Sequence, residues 1–291
     1  MAIESHPSFS MPLVSTPLWR YIDLPKFVSL LITQKIWLSS AEVLALDDPH
    51  EASLSTTQFG HRSWQSLDDV PRDTRNHILR EFGPRDHQWP LSAFRSYMRQ
   101  QESIHLYCQF WRRYYFVNCW HAASHESVAM WKIYASPGPG LAVISNGARL
   151  SEAFSNCEEP LYLGEVKYFD ESREQLDLSN FFNAVLAKRQ SFAFEKEVRL
   201  VHAEGGHRHD PADFESWNDE TMRFDTLVPD QRPMIPGIAI TCDLTTLIDH
   251  IVISPYAPSW YLDTIRSLRD RLGFQFEIKV SQLMTPPQTA T

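Results

Sequence analysis

The sequence predicts an α+β fold in which a mixed sheet forms the core and helices flank it. Runs rich in β-branched and aromatic residues recur along the chain, and helical patterns separate them without the strict alternation of a doubly wound sheet. The chain has 291 residues, of which 43% are hydrophobic, so it can bury a substantial core. We therefore expect one α+β domain over residues 17–283, with a flexible N-terminus at 1–16 and a disordered tail at 284–291.

The first predicted elements are a strand, a short helix and a second strand. "PLWRYID" (17–23) has the composition of a strand. Asp23 can cap a helix over 24–34, and Pro25 in the first turn of that helix costs no hydrogen bond. "KIWLSS" (35–40) then predicts the second strand.

Two polar stretches are expected to be insertions in this domain. Residues 41–100 contain turn signals such as "DDP" and "FGPRD", which favour helices and loops, and residues 203–235 are expected to contain an exposed loop. The remaining elements follow from periodicity and capping residues. They are helices at 91–112, 125–135 (capped by Ser124), 178–191 and 257–273 (capped by Ser259), and strands at 114–121, 141–145, 161–169, 193–201, 237–243, 250–255 and 274–283.

Charge and cysteine usage limit the classes of partner. The chain carries 27 Lys and Arg against 36 Asp and Glu, and the net charge of −9 disfavours binding to a nucleic-acid backbone or an anionic membrane. Its 4 cysteines form no C-x-x-C pair, which fits a reducing compartment. The N-terminus does not resemble a signal peptide, and no apolar run is long enough to span a bilayer. We expect a cytoplasmic protein without a membrane partner.

The stretch "AFEKEVRLV" (193–201) places a charged stripe among hydrophobic residues. In a strand, Glu195, Glu197 and Arg199 share one face, and residues two apart lie about 7 Å from each other. If that face lines a cleft, repulsion and desolvation raise the pKa of at least one carboxyl group, so that one carboxylate stays ionised while the other moves a proton. The alternative is an ion-pair ladder on a solvated face.

Three further sets of residues are candidates for chemistry. Trp131 and Tyr134 lie three apart on a predicted helix, where they form either an aromatic wall for a ligand ring or ordinary core packing. "LDDPHE" contains Asp48 and Glu51, which suit either a divalent cation or a capped turn. A third set is formed by cysteine and histidine residues, but its spacing matches no zinc motif, so we expect no metal. Its members are Cys119, His121, His125, His207 and His209.

Several segments, taken in order, resemble the DUF2971 family of uncharacterised bacterial proteins. They are "LWRYID", "KIWLSSAEVLALDDPHEA", "CWHAASHESVAMWKIYASPGPGLAVIS", "KRQSFAFEKEVRLV" and "IVISPYAPSWYLDTIRSLRDRLGFQFEIKVSQL", which together cover most of residues 17–283. The sequence departs from the family pattern at Asp47, where asparagine is common, and at Phe194, where tryptophan is common. This resemblance implies a shared fold but no activity.

The order of an arginine, a serine and an E-x-E pair is similar to that in arginine–serine–glutamate ADP-ribosyltransferases. The resemblance implies that Arg20 binds a nucleotide phosphate and that Ser39 or Ser40 orders the site. It implies that Glu197 is the catalytic residue, holding the ribose 2′-hydroxyl and stabilising positive charge as nicotinamide leaves, and that Glu195 positions the acceptor. The Ser-Thr-Ser tract of those enzymes is absent here.

These observations lead to one expected function and two alternatives. The expectation is an NAD-consuming enzyme with an ADP-ribosyltransferase-like fold, acting as a toxin or defence effector, with NAD as substrate and Trp131 or Tyr134 stacking on its rings. The acceptor, a protein or a nucleic acid, stays open. One alternative is a non-enzymatic binding or regulatory module with a structural ion-pair network. The other is a Mg²⁺-dependent nuclease or hydrolase that uses the carboxylates with Lys188 or Lys196.

Overall fold

The computed structural model of the chain describes residues 3–82, 87–135, 139–177, 179–180, 182–204, 217–218, 220–221, 223–224 and 234–285. Nine strands of this part form one mixed sheet. They are β1 (Pro17–Asp23), β2 (Lys35–Ser40), β3 (Tyr115–Ala122), β4 (Gly140–Asn146), β5 (Tyr162–Glu165), β8 (Glu197–Ala203), β11 (Gly237–Thr241), β12 (His250–Ile253) and β13 (Glu277–Val280). Two short pairs stand apart: β6 (Lys167–Phe169) with β7 (Ala187–Arg189), and β9 (Trp217–Asn218) with β10 (Arg223–Phe224).

The large sheet branches at β3. Its main path runs β11-β2-β3-β1-β4-β12-β13, while β3 also pairs with β8, and β8 with β5. Strand β2 pairs with β3 at Phe116 and Val117, whereas β1 pairs with it at His121 and Ala122. Because β8 pairs with β3 along residues 115–121, β1 and β2 must share the opposite edge of β3. Between these two contacts, at residues 118–120, no strand of the described residues pairs with this edge of β3, and we call this stretch the β1–β2 gap.

Helices flank the sheet, so the predicted α+β class and mixed sheet are confirmed. The helices are α1 (Leu24–Thr33), α2 (Ala41–Asp47), α3 (Arg72–Glu81), α4 (Leu91–Trp111), α5 (Val128–Tyr134), α6 (Gly147–Ala153), α7 (Phe182–Val185), α8 (Leu244–Leu247) and α9 (Ser259–Arg271). The predicted cap of α1 is present, because the side chain of Asp23 accepts a hydrogen bond from the backbone N–H of Lys26.

Strand alternation gives the sheet two different faces. One face carries Leu18, Phe116 and Leu200, which pack with residues of α1 and α9 in the largest core cluster. The opposite face carries Trp19 and Tyr21 under α5, and, further along, aromatic and aliphatic residues of β3 and β8. The charged residues of β8 lie on this second face.

The predicted strand at 193–201 and helix at 178–191 are wrong in their bounds. Residues Gln190–Glu195 form a 3₁₀ helix, and Lys196 ends it in the left-handed region with φ 41°. Strand β8 therefore begins only at Glu197, and the preceding helix is reduced to the four residues of α7. The cause is tertiary pairing, since β7 leaves the helical path to pair with β6.

Three other boundaries also differ from the predictions. The predicted strand at 161–169 divides at Val166, whose N–H donates to the carbonyl of Glu197, so β5 pairs with β8 while β6 pairs with β7. The cap of α5 is Ser127 rather than Ser124, because the Ser127 hydroxyl accepts from the N–H of Met130. Ser259 is the first residue of α9 and provides no capping hydrogen bond.

The described part of the N-terminal segment packs on the domain instead of being free. Phe9 is 8% exposed, stacks on Tyr162, and lies over Gly164, where a Cβ atom would approach Phe9 Cδ1 to 2.9 Å. The N–H of Glu4 donates to the carbonyl of Leu161.

The predicted insertion at 41–100 holds α2, α3 and part of α4. Most of the predicted loop at 203–235, the segment 136–138 and residues 286–291 of the tail lie outside the described residues.

Leu200 tests the packing of β8. Its side chain is fully buried in the main core cluster, so Leu200→Ala should lower the free energy of unfolding by about 3 kcal/mol through lost contacts and a cavity. Leu46 is 73% exposed, and Leu46→Ala should change stability by less than about 0.5 kcal/mol. Urea unfolding measures both, and equal losses would contradict this placement of β8.

Candidate functional site

Arg199 is the centre of a buried group of charges. It is fully buried on β8, and all five of its N–H donors are used. Two donors bind Glu197, with Nε 2.8 Å from Oε1 and Nη2 3.2 Å from Oε2. Two donors bind Glu51, with Nη1 2.5 Å from Oε1 and Nη2 2.9 Å from Oε2. The second N–H of Nη1 donates to the carbonyl of Val185 at 2.6 Å. One guanidinium thus joins two carboxylates, each by two hydrogen bonds.

Lys188 extends this group to a third carboxylate. Its Nζ lies 2.5 Å from Glu195 Oε2 and 3.2 Å from Glu197 Oε2. The hydroxyl of Tyr134 donates to the other oxygen of Glu195 at 2.6 Å. We call Glu51, Glu195, Glu197, Lys188 and Arg199 the carboxylate network. Its three carboxylates and two cations leave one excess negative charge.

The carboxylates of Glu195 and Glu197 both reach Lys188 although the two residues do not share a strand face. Glu195 is the last residue of the 3₁₀ helix, and the left-handed turn at Lys196 separates it from Glu197 at the start of β8. His121 holds this turn, since its Nδ1–H donates to the carbonyl of Glu195 at 2.5 Å. The turn brings both carboxylates to the ammonium group of Lys188.

Coulombic attraction outweighs burial in setting the ionisation of the network. Burial raises the pKa of Glu197, but Arg199 and Lys188 outweigh it and lower this pKa to about 2. Burial likewise lowers the pKa values of Lys188 and Arg199, yet the neighbouring carboxylates hold both above their ordinary values. Burial and the carboxylate of Glu195 raise the pKa of Tyr134, so its hydroxyl keeps the proton it donates. Glu197, Lys188 and Arg199 are therefore ionised at neutral pH.

The sequence does not predict two of the residues that surround Glu197, and it offers Cys119 only as a candidate metal ligand. The side chain of Cys119 lies beside the Glu197 carboxylate, and burial, followed by Glu197, raises the pKa of that thiol. The hydroxyl of Tyr168 accepts from the backbone N–H of Glu197 at 2.8 Å. The sequence places Cys119 and His121 on one strand face, but nothing in it indicates which strand pairs with β3.

The segment "LDDPHE" is a turn anchored by ion pairs. Asp48 Oδ1 accepts from the N–H of His50 and pairs with Arg189 Nη2 at 2.6 Å, and the N–H of Glu51 donates to the carbonyl of Asp48. The turn delivers Glu51 to Arg199. The capped-turn interpretation of this segment fits these contacts.

Arg20 lies in the β1–β2 gap. Its Nη1 donates to the carbonyl of Cys119 at 3.0 Å, and no carboxylate among the described residues pairs with it. Burial lowers the pKa of Arg20 to about 10. Asn118 and Trp120 belong to the stretch of β3 that borders this gap, and each has a buried polar atom without a partner among the described residues, Asn118 Oδ1 and Trp120 Nε1. A cation without a counter-ion and two unpaired polar groups thus occur within three residues of β3.

Of the other predicted ligand residues, only Tyr134 lies at the network, whereas Ser39, Ser40 and Trp131 do not. The hydroxyl of Ser40 is buried and accepts from the N–H of Val43, so it caps α2. Ser39 pairs with Val117 of β3, four positions or roughly 13 Å from the strand position of Glu197. Trp131 is 1% exposed and packs edge-to-face on Tyr21, which makes it a core residue; Tyr134, 40% exposed, is the aromatic at the network.

No helix in the described part of the chain is both long and apolar enough to cross a membrane. Among the same residues, no group of three or more His, Cys, Asp or Glu side chains is arranged to hold a metal ion. Comparisons of the chain with protein-family models, with curated proteins and with solved structures found no match.

Removing the central cation should destabilise the protein strongly. Arg199→Met leaves Glu51 and Glu197 buried without their main partner, so the free energy of unfolding should fall by about 3–5 kcal/mol. The matched control is Arg266→Met, which removes an exposed pair with Asp263 and should cost under about 1 kcal/mol. Urea midpoints at constant slope give both values. Equal losses would mean that the network adds nothing to stability.

The network should also make the free energy of unfolding depend on pH in the acidic range. The folded-state pKa of Glu197 is below its unfolded value, so its contribution is present above about pH 4.5 and is lost as pH falls toward 2. The stability difference between wild type and Glu197→Gln should therefore shrink from pH 5 to pH 3. The pKa of Glu102 is also lowered to about 2, but Glu102 is present in both proteins, so its pH-dependent contribution cancels in the difference between their stabilities. A difference that stays constant across this range in urea titrations would contradict the assignment.

Proposed function

We propose that this chain is an NAD-consuming enzyme that transfers ADP-ribose or hydrolyses the N-glycosidic bond, with Glu197 as catalytic carboxylate, Glu195 as the group that positions the acceptor, and Arg20 as the phosphate-binding residue. The observation that carries the proposal is the position of Cys119 between Arg20 and Glu197. Its carbonyl accepts from Arg20, and its side chain lies beside Glu197, where burial and then the Glu197 carboxylate raise the pKa of the thiol.

Strand pairing brings the two ends of this arrangement close together. Trp19, next to Arg20, pairs with His121, and His121 pairs with Glu197. Two interstrand spacings, about 10 Å, therefore separate the backbones of β1 and β8 at this point. Arg20 alternates with Trp19, so its side chain starts on the opposite face of the sheet from Glu197, and a ligand that contacts both residues must pass through the β1–β2 gap.

The charges fit the chemistry of a leaving nicotinamide. Departure of the base develops positive charge on the ribose, and a fixed, ionised carboxylate stabilises that charge best when it need not reorganise. Glu197 is held ionised by Arg199 and Lys188. Tyr134 provides a half-exposed ring beside Glu195 for stacking on a base. Ser39, Ser40 and Trp131 take no part in this proposal.

A second candidate, a non-enzymatic binding or regulatory module, is favoured by the saturation of the network. Glu51 and Glu197 each accept two hydrogen bonds from Arg199, and Glu195 is shared by Lys188 and Tyr134. Such an arrangement is what a structural ion-pair network requires. The Mg²⁺-dependent alternative has less support, because the carboxylates it needs are already occupied by Arg199, Lys188 and, for Asp48, Arg189.

Nicotinamide release from NAD distinguishes the candidates. Wild type, Glu197→Gln and Arg20→Ala are incubated with NAD, with and without a cell extract as acceptor. We expect release by the wild type that falls at least about 100-fold in Glu197→Gln, the scale of one lost electrostatic group, and a rise in KM for Arg20→Ala. Arg266→Ala, which changes an exposed arginine, should behave as wild type. Circular dichroism confirms that each variant is folded.

Absence of release under all these conditions would overturn the enzyme proposal and support the structural module. If the folded Glu197→Gln variant still released nicotinamide, Glu197 would not be the catalytic carboxylate, and another residue would have to take that role. Activity on a nucleic acid that appears only with Mg²⁺ and disappears with a chelator would favour the hydrolase alternative.

A further inference from the structure

His121 is a buried histidine beside the carboxylate network, directly opposite Glu197 in the pairing of β3 with β8. The N–H of Ala122 donates to the carbonyl of Lys196, so the adjacent pair, His121 and Glu197, is one without backbone hydrogen bonds. In such a pair the Cα atoms lie about 4.5 Å apart and the side chains approach most closely. The side chains of His121 and Glu197 therefore start next to each other on the face of the sheet that carries the network.

The contact with Glu195 fixes the tautomer of the His121 ring. Nδ1 lies 2.5 Å from the Glu195 carbonyl, and a carbonyl oxygen can only accept, so Nδ1 carries a proton. Nε2 has no hydrogen-bond partner among the described residues, yet it does not belong to the polar atoms that are buried there without one. It is therefore in the small part of this side chain that is exposed, where an entering molecule can reach it.

The surroundings of His121 keep its ring neutral at neutral pH. Burial is the main cause that lowers the pKa of His121; Lys196 and His125 lower it further, while the carbonyl and carboxylate of Glu195 oppose them. The titratable groups that the described structure places around the ring come from β1, from β8 and from the segments next to β8 and β3. They are Tyr21, Glu195, Lys196, Glu197 and His125. With Nδ1 protonated and the ring neutral, Nε2 offers a basic lone pair.

The other described groups at the network are poorly suited to take a proton from a nucleophile. The pKa of Glu197 is about 2, so this carboxylate stabilises positive charge but is a weak base. Both oxygens of Glu195 already accept hydrogen bonds. Burial raises the pKa of Cys119, whose thiol keeps its proton. Among the described groups beside Glu197, the basic atom that lacks a partner is therefore His121 Nε2.

We propose that His121 is the general base of the NAD-consuming reaction, with Nε2 taking the proton of the nucleophile while Glu197 stabilises the ribose. This role rests on the proposed function, and it makes the acceptor water or another hydroxyl group, since such a nucleophile must lose a proton. As the bond between ribose C1′ and the nicotinamide nitrogen breaks, its electron pair stays with nicotinamide, which leaves as a neutral base. The oxygen of the nucleophile bonds to C1′, and its proton passes to Nε2 and then to solvent.

Two measurements on the wild-type protein test this base. In long-range ¹H–¹⁵N spectra of a ¹⁵N-histidine sample, assigned by through-bond experiments, we expect Nδ1 of His121 to be protonated and Nε2 to be bare at pH 7. In the nicotinamide-release assay, kcat should fall as pH is lowered from 7 to 4, because the imidazolium form has no lone pair, whereas Glu197 with its pKa of about 2 stays ionised. A protonated Nε2 at pH 7, or release that is independent of pH, overturns the role.

The variant His121→Asn separates the base from the support of the turn. Asparagine keeps an N–H near the position of Nδ1, where it can bind the Glu195 carbonyl, but it has no basic nitrogen. We expect kcat to fall about 100-fold with little change in KM, and added imidazole to restore part of the release. The matched control is His125→Asn, which alters an exposed histidine that contacts Ser124 and should follow the wild type.

The outcomes distinguish the base from the proposed function. An active wild type with an equally active, folded His121→Asn overturns the base and leaves the proposed function standing. A wild type that releases no nicotinamide overturns both. Where His121→Asn does not fold, the ring spectra and the pH profile of the wild type decide the question.

Discussion

The guanidinium of Arg199 must be neutralised inside the protein, and this requirement determines how several distant segments are placed. A fully buried cation is stable only with paired, hydrogen-bonded counter-charges. Glu197 lies two residues away on the same strand, but Glu51 must be brought from the turn after α2 and the Val185 carbonyl from the end of α7. The covering layer on this face of the sheet is therefore assembled around one side chain.

Two carboxylates around Arg199 leave an excess of negative charge, and the segment before β8 compensates it. Lys188 of β7 reaches both Glu195 and Glu197, and β7 can do so because it pairs with β6 rather than continuing α7. Ion pairs at this depth add little net stability compared with apolar packing, since desolvation offsets their attraction. The ion pairs instead specify how these segments are arranged, because a displaced turn would leave a buried charge without its partner.

The elements with clear local signals could be predicted from the sequence, and those that depend on tertiary pairing could not. The cap and apolar spacing of α1, and the strand pattern of β2, are local properties and match the structure. The alternation in "AFEKEVRLV" correctly groups Glu197 with Arg199, but it includes Glu195 for the wrong reason. Nothing local indicates that Lys196 adopts φ 41°, because lysine has no preference for that region. Likewise, no local pattern distinguishes Arg20, and its position in the β1–β2 gap follows from strand pairing alone.

Arg20 and Arg199 show how differently the fold treats two arginines that flank the same strand. Arg199 has all five donors satisfied by protein, and the carboxylates around it raise its pKa. Among the described residues Arg20 makes one hydrogen bond, to a backbone carbonyl, and burial lowers its pKa. No carboxylate of the described part of the chain pairs with this partly buried guanidinium, so it favours an anion that reaches it. Arg20 and Glu197 start from opposite faces of the sheet on either side of β3, so the proposed reaction requires a ligand that reaches through the β1–β2 gap to place its phosphate at Arg20 and its ribose at Glu197.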